Sequence, residues 1–390
     1  MEPAPKHRPA RPLRVALFSG NYNYVRDGAN QALNRLVAYL ESQGCVVRVY
    51  SPTSDTPAFE PSGTLVSVPS FAIPGRGEYR IALGLPDQLK RDIGDFAPDI
   101  IHLSAPDPAA HAAKKLARAL GVPVVASIHT RFETYFEYYG LGFIRPGIEV
   151  LLRRFYSGLD EIFVTSQGFG ETMRETGIIS APPAVWSRGV DKARFNPGRR
   201  SAEWRWSLGI ADDEPVIGFV GRLVLEKGLD MVAAAVNELA QRGVKHRLLV
   251  VGDGPARAHF EALVPDAIFT GFLDGTNLAC AYASADMLLN PSTTETFGNI
   301  NLEAMASGIP VVAARAGGNE TLVGDGVTGA LIEPRDTIAY ADALAFYCTD
   351  AQARAAHGRA GLAAAQAYDW DVINGAVLTR YRDVIAAKPS

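Results

Sequence analysis

"PVIGFVG", residues 215–221, is a short apolar run that opens on proline and closes on glycine, with Arg222 directly after it. Such a run, bounded by turn residues, predicts a strand buried on both faces. "HRLLVVGDG" (246–254), "AIFTGF" (267–272), "ADMLLNPS" (285–292), "IPVVAAR" (309–315) and "ALIEP" (330–334) continue the pattern, alternating with helix-period segments. The earlier part of the chain has already run the same course, in "LRVALFSG" (13–20), "VVRVYS" (46–51), "DIIHLS" (99–104), "VPVVASIH" (122–129) and "EIFVTS" (161–166). Apolar strands alternating with amphipathic helices predict parallel sheets covered on both faces. A pattern that runs and then restarts predicts an α/β chain of two doubly wound domains with a cleft between them. The polar, charged segment "GVDKARFNPGRRS" (189–201) is expected to link them.

Length and composition agree. A chain of 390 residues exceeds one ordinary core. With 38 basic and 42 acidic side chains the formal net charge is −4, which argues against a dedicated nucleic-acid binder. Cys45, Cys280 and Cys348 lie far apart with no metal-ligand spacing, as expected of thiols in a reducing compartment. The opening "MEPAPKHRPARPLR" lacks the apolar stretch of a signal peptide, and no run reaches the length of a membrane span. A cytoplasmic location is expected, with at most peripheral contact at the inner face of the membrane.

In doubly wound sheets, ligands sit beyond the carboxyl ends of the strands, so the loops there are where chemistry is expected. "SGNYNYVRDGANQAL" (19–33) follows the first strand, and Gly20 and Gly28 bracket a polar loop that leads into a helix starting near Ala29, where backbone amides and the helix dipole suit an anion. In "GFVGRLVLEKGLD" (218–230) a strand ends at Gly221, and Arg222 and Lys227 could clamp a diphosphate. "VVGDGP" (250–255) is a strand and a Gly-Asp-Gly turn suited to close backbone approach, through Gly254. The formal GxGxxG, "GDGVTG" (324–329), precedes a strand instead of following one, so a dinucleotide oxidoreductase is disfavoured. "DWD" (369–371) matches a metal-holding pattern formally, but Asp369 is placed as a helix cap and Trp370 as packing. No other carboxylate, His or Cys cluster has metal-ligand spacing. His129 ends the strand read at 122–129 and faces the expected cleft. Residues 138–159 carry Phe143, Ile144, Ile148, Leu151, Leu152 and Phe155 together with Arg145, Arg153 and Arg154. That stripe fits either core packing or a basic amphipathic helix on an anionic membrane.

Taken together, these residues resemble a retaining glycosyltransferase of family 4, built on the GT-B fold of two Rossmann-like domains. The strongest marker is E-x7-E, Glu295 and Glu303 in "PSTTETFGNINLEAMASGIPVVA". Gly221-Arg222-Leu223, Glu226-Lys227-Gly228, the "GDGP" turn and "FTGFL" (269–273) support it in order and spacing. The resemblance implies an acceptor-binding domain at 12–192, a nucleotide-sugar domain at 201–365 and a terminal segment, 366–390, that crosses back to the first domain. It implies that Arg222 and Lys227 hold the donor diphosphate. Glu295 would contact the transferred sugar, with His129 near it, and Glu303 would take the ribose hydroxyls. The amides of Phe297, Gly298 and Asn299 would complete the donor site with Gly28, Gly221 and Gly254. The resemblance implies no cofactor and no metal, and attack on the same face as the departing diphosphate. "HTRFETYFEYYGLGFIRP" (129–146) resembles GDP-mannose-dependent α-mannosyltransferases and related enzymes that glycosylate lipids. Tyr22, Tyr24 and Tyr135 are expected to line a lipid or glycolipid acceptor site. UDP-glucose, UDP-glucuronate and UDP-sulfoquinovose remain alternative donors, and nucleotide-sugar hydrolysis or epimerisation an alternative reaction. A non-catalytic nucleotide-sugar binder is disfavoured by the full set Arg222, Lys227, Glu295 and Glu303.

Overall fold

The computed structural model describes residues 11–25, 27–73, 76–131 and 142–388. Two separate parallel sheets account for the alternating pattern. The first contains β1 (Arg14–Phe18), β2 (Val46–Ser51), β3 (Thr64–Ser67), β6 (Ile100–Leu103), β7 (Val124–Ile128), β8 (Glu161–Val164) and β9 (Ala184–Val185). Their spatial order is β3-β2-β1-β6-β7-β8-β9, and β4 (Ser70–Ile73) pairs with β5 (Arg76–Ala82) in a separate antiparallel hairpin. The second sheet contains β10 (Val216–Val220), β11 (Arg247–Val251), β12 (Ile268–Gly271), β13 (Met287–Asn290), β14 (Val311–Ala314) and β15 (Gly329–Ile332), in the order β12-β11-β10-β13-β14-β15.

Strand order therefore reverses at β1/β6 in one sheet and at β10/β13 in the other, which opens a crevice at each reversal. The loops leaving β1, β7, β10 and β13 carry Gly28, His129, Arg222 with Lys227, and Glu295 respectively. All of the central strands are buried on both faces, as their unbroken apolar sequences require.

The helix Gly28–Ser42 illustrates how sequence sets packing. Asp27 caps it by accepting from the Asn30 amide, and Leu33, Leu36, Val37 and Leu40 form its buried stripe. That stripe meets Val15, Leu17, Val47 and Val49 of the sheet and Val377, Leu378 and Tyr381 of the terminal helix Trp370–Ala387. The helix Trp370–Ala387 thus packs on the core of the first domain, although it follows the second in the chain.

Residues 189–201 are more than a polar linker. Val190 and Phe195 are buried, the Val190 amide donates to the Tyr368 carbonyl at 3.1 Å, and Lys192 Nζ donates to the Gln366 carbonyl at 3.0 Å. The outgoing and returning crossings are laced to each other. Gly189 has no room for a Cβ because the Trp370 ring lies 2.6 Å from where it would stand. Asp369 caps the terminal helix by accepting from the amides of Asp371 and Val372, the role expected for it in "DWD".

Candidate active site

Two helix N-termini, one from each domain, face each other across the cleft. A Cβ added to Gly28, the first residue of Gly28–Ser42, would collide with the side-chain amide of Asn299, the first residue of the helix Asn299–Ala306. Both positive dipole ends therefore point into one space. Gly298 caps the second helix at φ +94°, a left-handed conformation that glycine adopts without strain. Gly221 and Gly254 serve a different geometric need. The loop after β10 lies on the loop after β11, and the Leu223 amide donates to the Asp253 carbonyl at 3.0 Å. A side chain on Gly254 would run into the Leu223 backbone.

Lys227 and Glu295, on loops after different strands, meet as an ion pair with Nζ 2.5 Å from Oε1. Arg222 is exposed at the start of the same loop as Lys227. Glu303 lies on the helix behind this pair. Burial of its carboxyl pushes its pKa up to about 7, opposed by Tyr282, Arg194 and Arg35. Arg35 belongs to the first domain, so this carboxylate senses charge from across the cleft. The buried Tyr282 hydroxyl faces Glu303 as its main charged neighbour but has no partner at full hydrogen-bond geometry. It is a donor available to that carboxylate or to a hydroxyl bound beside it.

The E-x7-E loop is held from behind by residues that sequence reasoning did not single out. Asn290, Asn301 and Asn319 are buried and mutually hydrogen-bonded, at 2.9 Å for Asn290 to Asn301 and 2.8 Å for Asn301 to Asn319. Asn319 also donates to the carbonyls of Ser292 and Ala314, each at 3.0 Å. The Gly318 amide donates to the Glu295 carbonyl at 2.7 Å, and a Cβ there would collide with the Phe297 backbone. "AGGNE" (316–320) after β14 carried the signal, a glycine pair and an amide at a strand end. The Phe297 ring is buried against Tyr368, which leaves only its backbone to face a ligand.

Thr296, between Glu295 and Phe297, joins the two domains. Its carbonyl accepts from Thr165 Oγ1 at 2.6 Å and Ser166 Oγ at 3.1 Å, and its own hydroxyl donates to the His129 carbonyl at 2.9 Å. Both ring nitrogens of His129 are engaged within the protein, Nδ1 with Arg188 at 2.7 Å and Nε2 with Ser127 at 2.8 Å. Burial and the Arg188 charge hold the imidazole pKa well below its usual value. His129 thus stands at the cleft as a neutral ring with neither nitrogen open to a substrate.

The expected acceptor tyrosines divide. Tyr22 does not line the cleft: it is fully buried, and its hydroxyl donates to the Ser62 carbonyl at 2.8 Å. Its large apolar ring is drawn into the core between the sheet and the helix Gly28–Ser42. Tyr24 is half-buried, with its hydroxyl donating to the Gly20 carbonyl at 2.7 Å. Tyr135 lies outside the described residues. The basic helix is Arg145–Tyr156, with Pro146 in its first turn. Leu152, Phe155 and Tyr156 pack inward, while Phe143 (79% exposed), Val150 (58%) and Leu151 (61%) face out. The stripe is therefore split between core and surface. Among the described residues no three His, Cys, Asp or Glu side chains form a group that could hold a metal ion. None of the described helices is long and apolar enough to cross a membrane.

Comparison with known proteins adds identity to this geometry. Residues 26–194 match the family described as "Glycosyltransferase Family 4", and residues 214–350 match "Glycosyl transferases group 1". The sulfoquinovosyl transferase of Arabidopsis thaliana is 33% identical over 93% of this chain and 72% of its own length. A GDP-mannose-dependent α-mannosyltransferase of Corynebacterium glutamicum is 31% identical over 96% of this chain and 90% of its own. Sucrose-phosphate synthase from Thermosynechococcus elongatus superposes with a TM-score of 0.79 at 22% identity, over 96% of this chain and 100% of its own. Anabaena HepE in complex with UDP-glucose superposes at 0.73 and 19%, over 95% and 100%. With two Rossmann-like sheets, the E-x7-E loop at the cleft and relatives above 30% identity that match over more than nine-tenths of this chain, the chain belongs to glycosyltransferase family 4 and has the GT-B fold.

Proposed function

We propose that this glycosyltransferase moves a hexose from a nucleotide-diphosphate sugar, GDP-mannose in the favoured reading, to a lipid or lipid-linked glycan, with retention of anomeric configuration and without a metal. The observation that carries the reading is the convergence of Lys227 and Glu295 beside the facing N-termini of Gly28–Ser42 and Asn299–Ala306. Lys227 with Arg222 would neutralise the diphosphate, and the amides of Phe297, Gly298 and Asn299 would donate to donor oxygens. Glu295 would accept from sugar hydroxyls and Glu303 from the ribose pair. With these carboxylates so occupied, neither is placed as a covalent nucleophile. The acceptor hydroxyl would attack on the leaving-group face and pass its proton to a donor phosphate oxygen. Catalysis is then mainly positioning plus charge stabilisation of the departing diphosphate.

The acceptor class draws on the relatives and on the surface. The relatives include an α-monoglucosyldiacylglycerol synthase of Streptococcus pneumoniae, 27% identical over 82% of this chain and 75% of its own length. Phe143, Val150 and Leu151 stand exposed among Arg145, Arg153 and Arg154, a composition suited to an anionic bilayer. The helix Arg145–Tyr156 is accordingly assigned to peripheral contact at the inner membrane face. The sulfoquinovosyl relative supports a second reading, a UDP-sugar donor on the same site.

A thermal-shift screen with GDP-mannose, UDP-glucose and UDP-glucuronate tests the donor. A donor at 100 times its Kd adds about 2.7 kcal/mol of stability, so the Tm rises with GDP-mannose alone if the favoured reading is right. A rise confined to UDP-sugars replaces the donor, and no rise with any of them removes the reading.

A further inference from the structure

A buried hydrogen-bond chain leads from the cleft to the terminal helix. Arg188, 3% exposed, places Nη2 2.7 Å from His129 Nδ1. His129 Nε2 lies 2.8 Å from Ser127 Oγ, and Ser127 Oγ lies 2.8 Å from His102 Nε2. His102 Nδ1 meets the Tyr381 hydroxyl on the helix Trp370–Ala387.

The proton on His129 can be placed by elimination. A guanidinium has only donors, so His129 Nδ1 must accept. Arg188 remains a cation at neutral pH although burial lowers its pKa to about 9. Neutral His129 then carries its proton on Nε2 and donates to Ser127. The serine hydroxyl, having accepted there, still has its own proton to give, and His102 Nε2 lies beside it at 2.8 Å as an acceptor. Neutral His102 carries its proton on Nδ1 and donates to Tyr381. The direction at His129 is set by the one group that cannot accept, and the order beyond Ser127 is part of the proposal.

We propose that Arg188 and Ser127 are positioning residues for His129, fixing it as the Nε2–H tautomer and coupling the cleft, through His102 and Tyr381, to the terminal helix. The consequence for activity rests on the glycosyltransferase reading, whereas the tautomer does not. His129 offers the cleft its ring edge, with both ring nitrogens engaged within the protein and its carbonyl accepting from Thr296. Arg188 stacks on Trp186, with its guanidinium 4.8 Å from the ring centroid, and also donates to the carbonyls of Trp186 and Ser187. The strand that ends the first sheet is thereby tied to the same histidine.

Long-range proton–nitrogen correlation on the full chain labelled with [15N]histidine tests this at pH 7, with assignment by His129→Gln and His102→Gln. The expected spectrum shows His129 as Nε2–H and His102 as Nδ1–H, each a single neutral tautomer. Arg188→Lys, which keeps a donor, should preserve the His129 pattern and rescue most of the activity. Arg188→Met should give mixed or reversed tautomers and lower kcat/KM by about 10²-fold. Ser127→Ala, a smaller change that leaves Arg188 in place, should alter the His102 pattern while His129 Nδ1 stays unprotonated. Imidazolium or an Nδ1–H tautomer at His129 in the unmodified protein would overturn the proposal. So would Ser127→Ala leaving the His102 pattern unchanged. The spectra need no donor and no turnover, so an inactive protein with the expected tautomers would count against the proposed function alone.

Discussion

Lys227 Nζ rests 2.5 Å from Glu295 Oε1, so the cation proposed to hold the donor diphosphate is paired with the carboxylate proposed to contact the donor sugar. The pair bridges the loops after β10 and β13 and, in the proposed mechanism, would preset the distance between two parts of the donor. Lys227→Ala should lower kcat by about 10²–10³, the range for losing one donor to a developing charge. Steady-state kinetics with saturating donor would measure it. Unchanged kcat in both Lys227→Ala and Arg222→Ala would remove the clamp from the mechanism.

Glu303 links stability to pH in a defined direction. Its carboxyl titrates near 4.5 when unperturbed and about 7 in the folded protein, because burial disfavours the charged form. Above its unfolded pKa the unfolded chain releases this proton while the folded chain still binds it. Stability is therefore full below about pH 4.5, falls as pH rises through that window, and levels off above about pH 7. Glu303→Gln should match the parent Tm at about pH 3.5, where the carboxyl is protonated in the folded and the unfolded chain alike. At pH 8 it should be more stable by about 1–3 kcal/mol while binding donor more weakly. A lower Tm for the variant at pH 8 would contradict the assignment of a strained buried carboxylate.

Thr296 holds the E-x7-E loop to the first domain. Thr296→Val removes the bond to the His129 carbonyl and leaves the two bonds its own carbonyl accepts. One such bond is worth about 1 kcal/mol net, so the balance between closed and open domains should shift by roughly fivefold. Small-angle scattering should show a larger radius of gyration for the variant without donor, and the donor KM should rise several-fold with less change in kcat. An unchanged scattering curve and KM would assign these bonds to local packing alone.

The outward face of Arg145–Tyr156 should report on the acceptor. Val150→Asp with Leu151→Asp places charge where apolar side chains stand exposed, away from the packed Leu152, Phe155 and Tyr156. Co-sedimentation with vesicles rich in anionic lipid should fall at least tenfold, with Tm within about 1 °C of the parent and activity on a water-soluble acceptor retained. Equal sedimentation of variant and parent would reassign this face.

Much of this was legible in the sequence because buried parallel strands are written locally. "PVIGFVG", "LRVALFSG" and "HRLLVVGDG" each carry an unbroken apolar run of at least four residues and end on glycine, and each became a strand inside its sheet. The edge strand β3, the pair β4 and β5, and β9 were not read, because such short strands mix polar and apolar residues and are selected by tertiary pairing. Tyr22 misled because an aromatic in a strand-end loop carries no local mark of which way it points. The asparagine network behind Glu295 was hidden for a related reason: Asn290, Asn301 and Asn319 are each unremarkable alone and meet only when three loops fold together. The chain from Arg188 to Tyr381 spans even greater sequence distances and left no motif.

The central claim is that this cleft transfers a hexose with retention, using the donor's own phosphate to accept the proton. Proton NMR of the product from GDP-mannose and a diacylglycerol-type acceptor, in vesicles and with EDTA present, tests it most directly. The account predicts an α-mannosyl lipid, matching the α-linkage of the donor, formed at an unchanged rate with the chelator. A β-linked product, free mannose as the sole product, or loss of transfer on chelation would contradict it.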